Sequence, residues 1–129
     1  MNSKEYLEQS ESTVSKRWIA QYDRLAGQEV MDLLHAGMGL CTESAEFLDA
    51  LKKTVYYGKP LDEVNLREEL GDILWYVALA LRTLDTDFDT EMDRNINKLK
   101  LRYPNQFEES RALNRDTDAE YELLGGKKI

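Results

Sequence analysis

Apolar residues recur at helical spacing along the first half of this chain, and this periodicity constrains the fold more than any other feature. From Gln28 to Val55 they are mostly three or four positions apart, which is the spacing of one face of an α-helix. The predicted apolar stripe consists of Val30, Leu33, Leu34, Met38, Cys41, Ala45, Leu48 and Leu51. No stretch shows the strong alternation of apolar and polar residues that is typical of strands. The sequence therefore predicts a long helix here and no sheet.

A second long helix is predicted after a short loop. Gly58 and Pro60 interrupt the periodicity, and Asp62 can cap a helix that runs to about Leu84. The predicted core face of this helix consists of Leu66, Leu70, Ile73, Leu74, Val77, Ala78 and Leu81. Because the loop between them is short, the two long helices should pack antiparallel.

Two further helices are predicted on either side of this pair. The first should cover about Ser3 to Ala26, with a possible interruption near Ser12 to Ser15. The last should be capped by Asp89 and should end near Tyr103, because Pro104 cannot continue it.

The C-terminal stretch changes character. Residues 105–129 are polar and form either a loosely held tail or a segment that docks on a neighbour through its few apolar residues, Leu113, Tyr121, Leu123 and Leu124. The overall prediction is an all-α fold, a four-helix bundle with a C-terminal extension. Residues 1–104 would form the helical domain that carries the functional site, and residues 105–129 would extend the same domain.

The charge of the chain narrows the possible functions. The formal net charge of -8 at pH 7 and the pI of about 4.7 argue against a nucleic-acid surface. No run approaches the roughly 18 apolar residues of a membrane span, and the polar N-terminus lacks the apolar block of a signal peptide. Cys41 is the only cysteine, so no disulfide within the chain is possible. These features predict a cytoplasmic protein with no membrane or nucleic-acid partner.

Two acidic pairs lie inside the predicted long helices. Glu43 and Glu46 are three residues apart on the first, and Glu69 and Asp72 have the same spacing on the second. Residues three apart share a helix face, and apolar neighbours place both pairs beside the packed face. In an antiparallel arrangement the two pairs can meet at similar height. Mg2+ prefers oxygen ligands of this kind, so the pairs predict one divalent-metal site.

Two glycines precede the first acidic pair. Gly37 and Gly39 weaken a helix by propensity alone. Either they let another helix approach closely, or they leave room for a ligand beside the carboxylates. The sequence leaves both interpretations open.

The order and separation of the acidic pairs, with a block further along the chain, resemble the MazG-like branch of the all-α nucleoside triphosphate pyrophosphohydrolases. The matching segments are Gly39–Glu46, Arg67–Tyr76, Asn95–Leu99, Arg102–Pro104 and Phe107, with a weaker echo at Asn114–Asp116. The resemblance covers about Ala36 to Phe107. It is specific because both pairs and the downstream block occur together, whereas neither pair alone would suffice.

The resemblance implies hydrolysis of a (deoxy)nucleoside triphosphate between its α- and β-phosphates, which yields the monophosphate and pyrophosphate. It implies that Glu43, Glu46, Glu69 and Asp72 bind Mg2+, for which Mn2+ can substitute. We assign Glu46 as the catalytic residue that orients or deprotonates the attacking water. Similar proteins assemble as homodimers or as tetramers made of two dimers, and they act in nucleotide house-cleaning or pool control.

Three residues near the acidic pairs are candidates for substrate binding. Lys53 lies two helical turns after Glu46 and can reach a phosphate, or it can be a solvated lysine. Tyr76 follows Asp72 by one turn and can contact sugar or base, or pack at the rim. His35, the only histidine, can touch the nucleotide or serve the structure.

Three more candidates lie on the last predicted helix. Asn95, Lys98 and Arg102 form a row at spacings of three and four, which can meet phosphates and offset the acidic site. Arg102 can instead have a structural role. The aromatic residues Trp18, Phe47 and Trp75 belong either to the core or a subunit interface, or to a base pocket.

Two alternatives to this activity remain at this point. One is a related enzyme, an all-α dUTPase that acts on dUTP and dUDP. The other is a non-enzymatic helical protein whose acidic face binds a basic partner, since a solvated face is the usual explanation of a single acidic pair.

Overall fold

The computed structural model describes residues 2–14 and 27–126. Within these ranges the chain forms six helices and no strand. In chain order they are α1 (Ser3–Glu11), α2 (Gln28–Tyr57), α3 (Glu63–Thr83), α4 (Phe88–Arg102), α5 (Glu109–Leu113) and α6 (Thr117–Leu123). The predicted all-α class is confirmed. None of the described helices is long and apolar enough to cross a membrane.

The N-terminal helix α1 ends where the sequence indicates an interruption. It begins with a capping box, in which Asn2 and Glu5 each accept a backbone N–H of the other at 2.9 Å. The helix stops at Glu11, and Ser12 is its C-cap. The remainder of the predicted first helix, including Trp18, lies outside the described residues.

The chain divides into two compact units, residues 1–80 and 81–129. The division falls within the last turn of α3, so α1, α2 and most of α3 belong to the first unit and α4 to α6 belong to the second. The predicted boundary after residue 104 lies inside the second unit, and the assignment of 105–129 as an extension of one domain stays a prediction.

Helices α2 and α3 form an antiparallel pair. Gly58, with φ 64°, ends α2 two residues beyond the predicted Val55, because a left-handed glycine is a favoured helix terminus. The Asp62 carboxylate accepts the backbone N–H of Asn65 at 3.1 Å at the start of α3, so the predicted cap is confirmed. Gly39 of α2 lies against Tyr76 of α3, and Glu43, one turn further along α2, lies near Glu69. Residue numbers therefore increase along α2 as they decrease along α3. The predicted antiparallel packing is thus confirmed.

Most of the predicted apolar stripe of α2 does not pack within the described structure. The buried residues of this helix are Ala36, Gly39 and Ala50, with the half-buried side chains of Glu43 and Phe47 on the same line. Leu33 and Leu51 of the predicted stripe are half-buried, and its other six members are exposed, namely Val30, Leu34, Met38, Cys41, Ala45 and Leu48. The prediction was wrong for these six residues because α2 carries apolar residues on more than one face, and the face with small residues is the one that allows a close neighbour.

The same correction applies in part to α3. Glu69 is the buried residue of this helix, with only 4% of its surface exposed, whereas Leu70 and Leu74 are about half exposed. Ile73 and Val77 are half-buried, in agreement with the predicted face. The packed line of α3 is therefore shifted around the helix and includes a carboxylate.

In the second unit, α4 begins two residues earlier than predicted. Its N-cap is Asp87, whose carboxylate accepts the backbone N–H of Thr90 at 2.8 Å, and Asp89 lies inside the first turn. Both are acidic residues near the same helix start, where a negative charge is favourable at either position. Asp85, in the preceding turn, adopts a left-handed conformation with φ 53°.

The C-terminal residues form ordered helices, so the interpretation of 105–126 as a loosely held tail was wrong. Glu120 on α6 is only 4% exposed and accepts hydrogen bonds from Arg102 Nε at 2.7 Å and Nη2 at 2.6 Å. Arg115 Nη2 donates to the same carboxylate at 2.7 Å, and Arg94 donates to the carbonyl of Leu124. The charge-assisted bonds from Arg102 and Arg94, which are both on α4, hold α6 against α4.

Candidate active site

Three acidic side chains from α2 and α3 converge on one point. Glu43, Glu69 and Asp72 each present a carboxylate oxygen, and these oxygens lie within 4.8 Å of one another. Ligand oxygens around one Mg2+ bind at about 2.1 Å and therefore lie roughly 3 to 4 Å apart. A small inward movement of the side chains would satisfy this geometry. The all-oxygen donor set fits a hard divalent cation, and we call these residues the acidic triad.

The burial of one member makes the triad electrostatically demanding. Burial raises the pKa of Glu69 above its ordinary value, and the negative charges of Glu46 and Glu43 raise it further. A hydrogen bond from Asn65 Nδ2 acts in the opposite direction. A divalent cation would supply the positive charge that favours the ionised carboxylates.

Glu46, the fourth predicted ligand, lies beside the triad and not within it. Its side chain is exposed, and no oxygen of it joins the group within 4.8 Å. It is nevertheless near enough for its charge to act on the pKa of Glu69. The structure thus brings three predicted metal ligands together and leaves the predicted catalytic carboxylate adjacent to them.

An open cleft lies beside the triad, with aromatic and acidic walls. It is lined by Glu43, Asp72, Trp75 and Tyr76. The Tyr76 ring lies directly against the backbone of Gly39, where a Cβ atom would overlap it. Of the two interpretations of this glycine, close packing is therefore the one that the structure supports.

The other glycine before the first acidic pair behaves differently. A Cβ atom at Gly37 would meet nothing within 4 Å in the described part of the chain. The two glycines therefore differ in the space around them, although they are only two positions apart on the same helix.

Three aromatic rings cluster at the cleft, where Trp75 and Tyr76 line it and His35 lies against both of them. The centroid of the His35 ring lies 5.6 Å from that of Tyr76 and 6.3 Å from that of Trp75, in edge-to-face geometry. Trp75 and Tyr76 are 5.0 Å apart, and 53% of the Trp75 surface is exposed. This arrangement leaves aromatic surface near the carboxylates on which a flat ring can pack.

Lys53, a predicted phosphate contact, is already paired. Its Nζ lies 2.9 Å from Asp49 Oδ2, and Lys52 lies 2.7 Å from the other oxygen. These two hydrogen bonds lower the pKa of Asp49 to about 2. Lys53 is exposed, so contact with a phosphate would exchange one partner for another, and that role stays a prediction.

The predicted row on α4 lies in the second unit. Asn95 is exposed and Lys98 is half-buried. Arg102 has its guanidinium in the double hydrogen bond with Glu120, which raises its pKa. Of its two sequence-based interpretations, this contact supports the structural one, and phosphate binding by the row stays a prediction.

Two residues that contact the triad, Thr42 and Asn65, were not predicted from the sequence, and Thr42 Oγ1 donates to Glu43 Oε1 at 3.1 Å. Asn65 Nδ2 donates to Glu69 Oε1 at 2.6 Å. The only signal available was their spacing of four on one helix, which many residue pairs share. Glu120, the buried partner of Arg102, was missed as well because the two are 18 residues apart.

Comparisons with known proteins agree with this geometry. A family model described as the MazG nucleotide pyrophosphohydrolase domain matches residues 32–107. The chain is also 36% identical over 77 residues to the Gene 37 protein of Mycobacterium phage L5, an alignment that covers 54% of this chain and 65% of that protein. The chain thus spans less than two thirds of the length of this relative. No solved structure gives a significant match.

Proposed function

The chain belongs to the family of MazG nucleotide pyrophosphohydrolase domains, and from this premise we propose that it hydrolyses (deoxy)nucleoside triphosphates to the monophosphate and pyrophosphate in a Mg2+-dependent reaction. The observation that carries the proposal is the acidic triad, whose three oxygens from two helices lie within 4.8 Å and inside the matched residues. House-cleaning of the nucleotide pool is the role that follows from this activity, and a cytoplasmic location fits it.

In this proposal Glu43, Glu69 and Asp72 hold Mg2+, or Mn2+ in its place. The bound ion supplies Lewis-acid polarisation of a phosphate and lowers the pKa of a water molecule. Glu46 stands outside the triad and is exposed, so its carboxylate is free of the metal set and can take the proton of the attacking water. The position of Glu46 beside the triad supports a separate role for this residue in proton transfer.

The aromatic wall of the cleft would bind the nucleoside. Tyr76 and Trp75 line the same cleft as Glu43 and Asp72, and the His35 ring abuts both aromatic residues. A base or sugar packed there would have its phosphates on the carboxylate side. Lys53, Asn95 and Lys98 are the proposed phosphate contacts.

A panel of nucleoside triphosphates with Mg2+ tests the activity. We expect pyrophosphate release by the wild type, and its loss in Glu46→Gln and Asp72→Asn. Glu68→Gln is the matched control, because it removes one exposed charge from the same helix outside the triad. Release of pyrophosphate from no nucleotide, or equal rates in all three variants, would contradict the proposal.

Inclusion of dUTP and dUDP in the panel tests the dUTPase-like alternative, which predicts that the diphosphate is hydrolysed too.

We also propose that the chain assembles as a homodimer, or as a tetramer of two dimers, through α2. Seven exposed apolar residues of this helix follow one another at intervals of three and four: Met31, Leu34, Met38, Cys41, Ala45, Leu48 and Val55. The position between the last two, which continues the same spacing, is occupied by Lys52. Such spacing is typical of helices that pack along their whole length. Among the described apolar residues only Ala36 and Ala50 are buried. A single chain therefore has a small core, and a second copy packed on the exposed residues of α2 would enlarge it.

Light scattering on the purified chain tests this assembly. We expect a dimer or tetramer for the wild type and a smaller species for Leu48→Glu, which places a charge in the middle of the exposed stripe. Gln28→Glu is the matched control, since it adds the same charge at an exposed position of α2 that lies about a third of a turn around the helix from the stripe. A monomeric wild type would show that the assembly proposal is incorrect.

A further inference from the structure

Among the described residues, two neutral side chains donate hydrogen bonds to the acidic triad, and the bond from Asn65 is shorter than the one from Thr42. Asn65 Nδ2 donates to Glu69 Oε1 at 2.6 Å, and the contact is partly buried. A carboxylate oxygen can only accept, so the amide nitrogen and not the amide oxygen must face it. Its own backbone N–H donates to Asp62 at 3.1 Å, so the first turn of α3 holds Asn65 in place.

This contact restricts the orientation of the buried carboxylate. The terminal torsion of a glutamate side chain is broad, and the carboxylate plane turns easily when nothing holds it. A short hydrogen bond from a fixed neighbour removes this freedom. Glu69 is 4% exposed, so water at the surface has little access to replace the bond.

The neutral charge of Asn65 is also relevant. A lysine or arginine in its place would orient the carboxylate and at the same time cancel part of its negative charge. An amide orients it and leaves the full charge for a cation. The residue that orients Glu69 is therefore of the type that a metal site needs in its outer shell.

We propose that Asn65 is a positioning residue for the metal site, which presents the Glu69 carboxylate to a divalent cation. This inference rests on the proposed function, because it assumes that the acidic triad binds metal. Asn65 acts through Glu69 and does not itself contact the substrate.

Metal affinity is the measurement that separates positioning from simple structural support. Electron paramagnetic resonance of free Mn2+ gives its dissociation constant from the full chain without any nucleotide. We expect Asn65→Leu and Asn65→Ser to weaken Mn2+ binding about 10- to 100-fold, the range for loss of an outer-shell partner. Asn65→Gln retains the amide donor and should recover part of the affinity. Arg67→Gln, which breaks an exposed ion pair with Glu63 on the same helix, should leave it unchanged.

A second readout follows the same logic with activity. The Mg2+ concentration for half-maximal hydrolysis should rise 10- to 100-fold in Asn65→Leu, while kcat at saturating Mg2+ falls much less. A residue that only supports the fold would lower thermal stability without this shift, so circular-dichroism melting is recorded for each variant.

The outcomes are distinguishable. A wild type that neither binds Mn2+ nor hydrolyses any nucleotide overturns the proposed function and this inference together. A wild type that does both, with Asn65→Leu and Asn65→Ser matching its Mn2+ affinity, overturns the role of Asn65 alone. If Asn65→Leu does not fold, Asn65→Ser decides, and if neither folds, Asn65 is a structural residue and the inference is wrong.

Discussion

The Gly39→Ala variant should have a lower free energy of unfolding than the Gly37→Ala variant. Both glycines lie on α2, two positions apart, and alanine is favoured over glycine in a helix by about 1 kcal/mol at either position. At Gly37 the added methyl group would meet nothing within 4 Å among the described residues, so that gain should appear in full. At Gly39 it would overlap the Tyr76 ring, which must then move.

The size of the difference follows from these contacts. Overpacking of a filled contact costs about 1 to 3 kcal/mol. We therefore expect Gly37→Ala to raise the free energy of unfolding by about 1 kcal/mol. Gly39→Ala should lie about 1 to 3 kcal/mol below Gly37→Ala, because only it must also displace the ring.

Urea denaturation of both variants measures this difference, provided that the slope m stays unchanged. A double-mutant cycle with Tyr76→Ala supplies the control. Because removal of the ring should abolish the penalty, the unfolding free energy of Gly39→Ala/Tyr76→Ala should exceed the value expected if the effects of the two single substitutions were additive. Equal unfolding free energies for Gly37→Ala and Gly39→Ala would refute the packing of Tyr76 on Gly39. The position of α3 against α2 would then have to differ from the one described.

Further predictions concern the second unit. Glu120→Gln should lower the urea midpoint more than Glu108→Gln, because Glu120 is buried and binds Arg102, whereas Glu108 makes an exposed pair; equal shifts would contradict this. The pKa of Glu120 is lowered from 4.5 to about 2, so its contribution is complete above pH 4.5 and is lost as the pH falls toward 2. Acid titration should therefore destabilise the wild type more steeply than Glu120→Gln in that interval. Asp85→Gly should stabilise by about 0.5 to 1 kcal/mol, since its φ of 53° strains a side chain, and fluorescence-monitored unfolding can test this.

The helices themselves were largely predictable because their signals are local. Asp62 as a cap and Gly58 as a terminus act on the backbone within a few residues, and both roles are present in the structure. The error at α4 has the same origin, since Asp87 and Asp89 are both suitable caps and local reasoning does not choose between them.

The candidate site was predictable in composition and less so in arrangement. The spacing of Glu43, Glu69 and Asp72 on two helices joined by a short loop indicated that they could meet. It did not indicate that Glu46 would stay outside the acidic triad, or that Asn65 would hold Glu69. The position of Glu46 depends on the rotation of α2 about its own axis. The Asn65 contact lies within α3 and depends on the side-chain rotamers that the burial of Glu69 permits.

The sequence by itself determined that this chain is helical, where its long helices turn, and which carboxylates are available to a cation. Only the tertiary structure decided that α2 packs through Ala36, Gly39 and Ala50 and leaves its larger apolar residues exposed. It also decided that Glu120 is buried against Arg102 in a segment with the composition of a loose tail. The physical reason is that periodicity and caps reflect interactions within a turn or two, whereas the face that a helix buries depends on the shape of its neighbours.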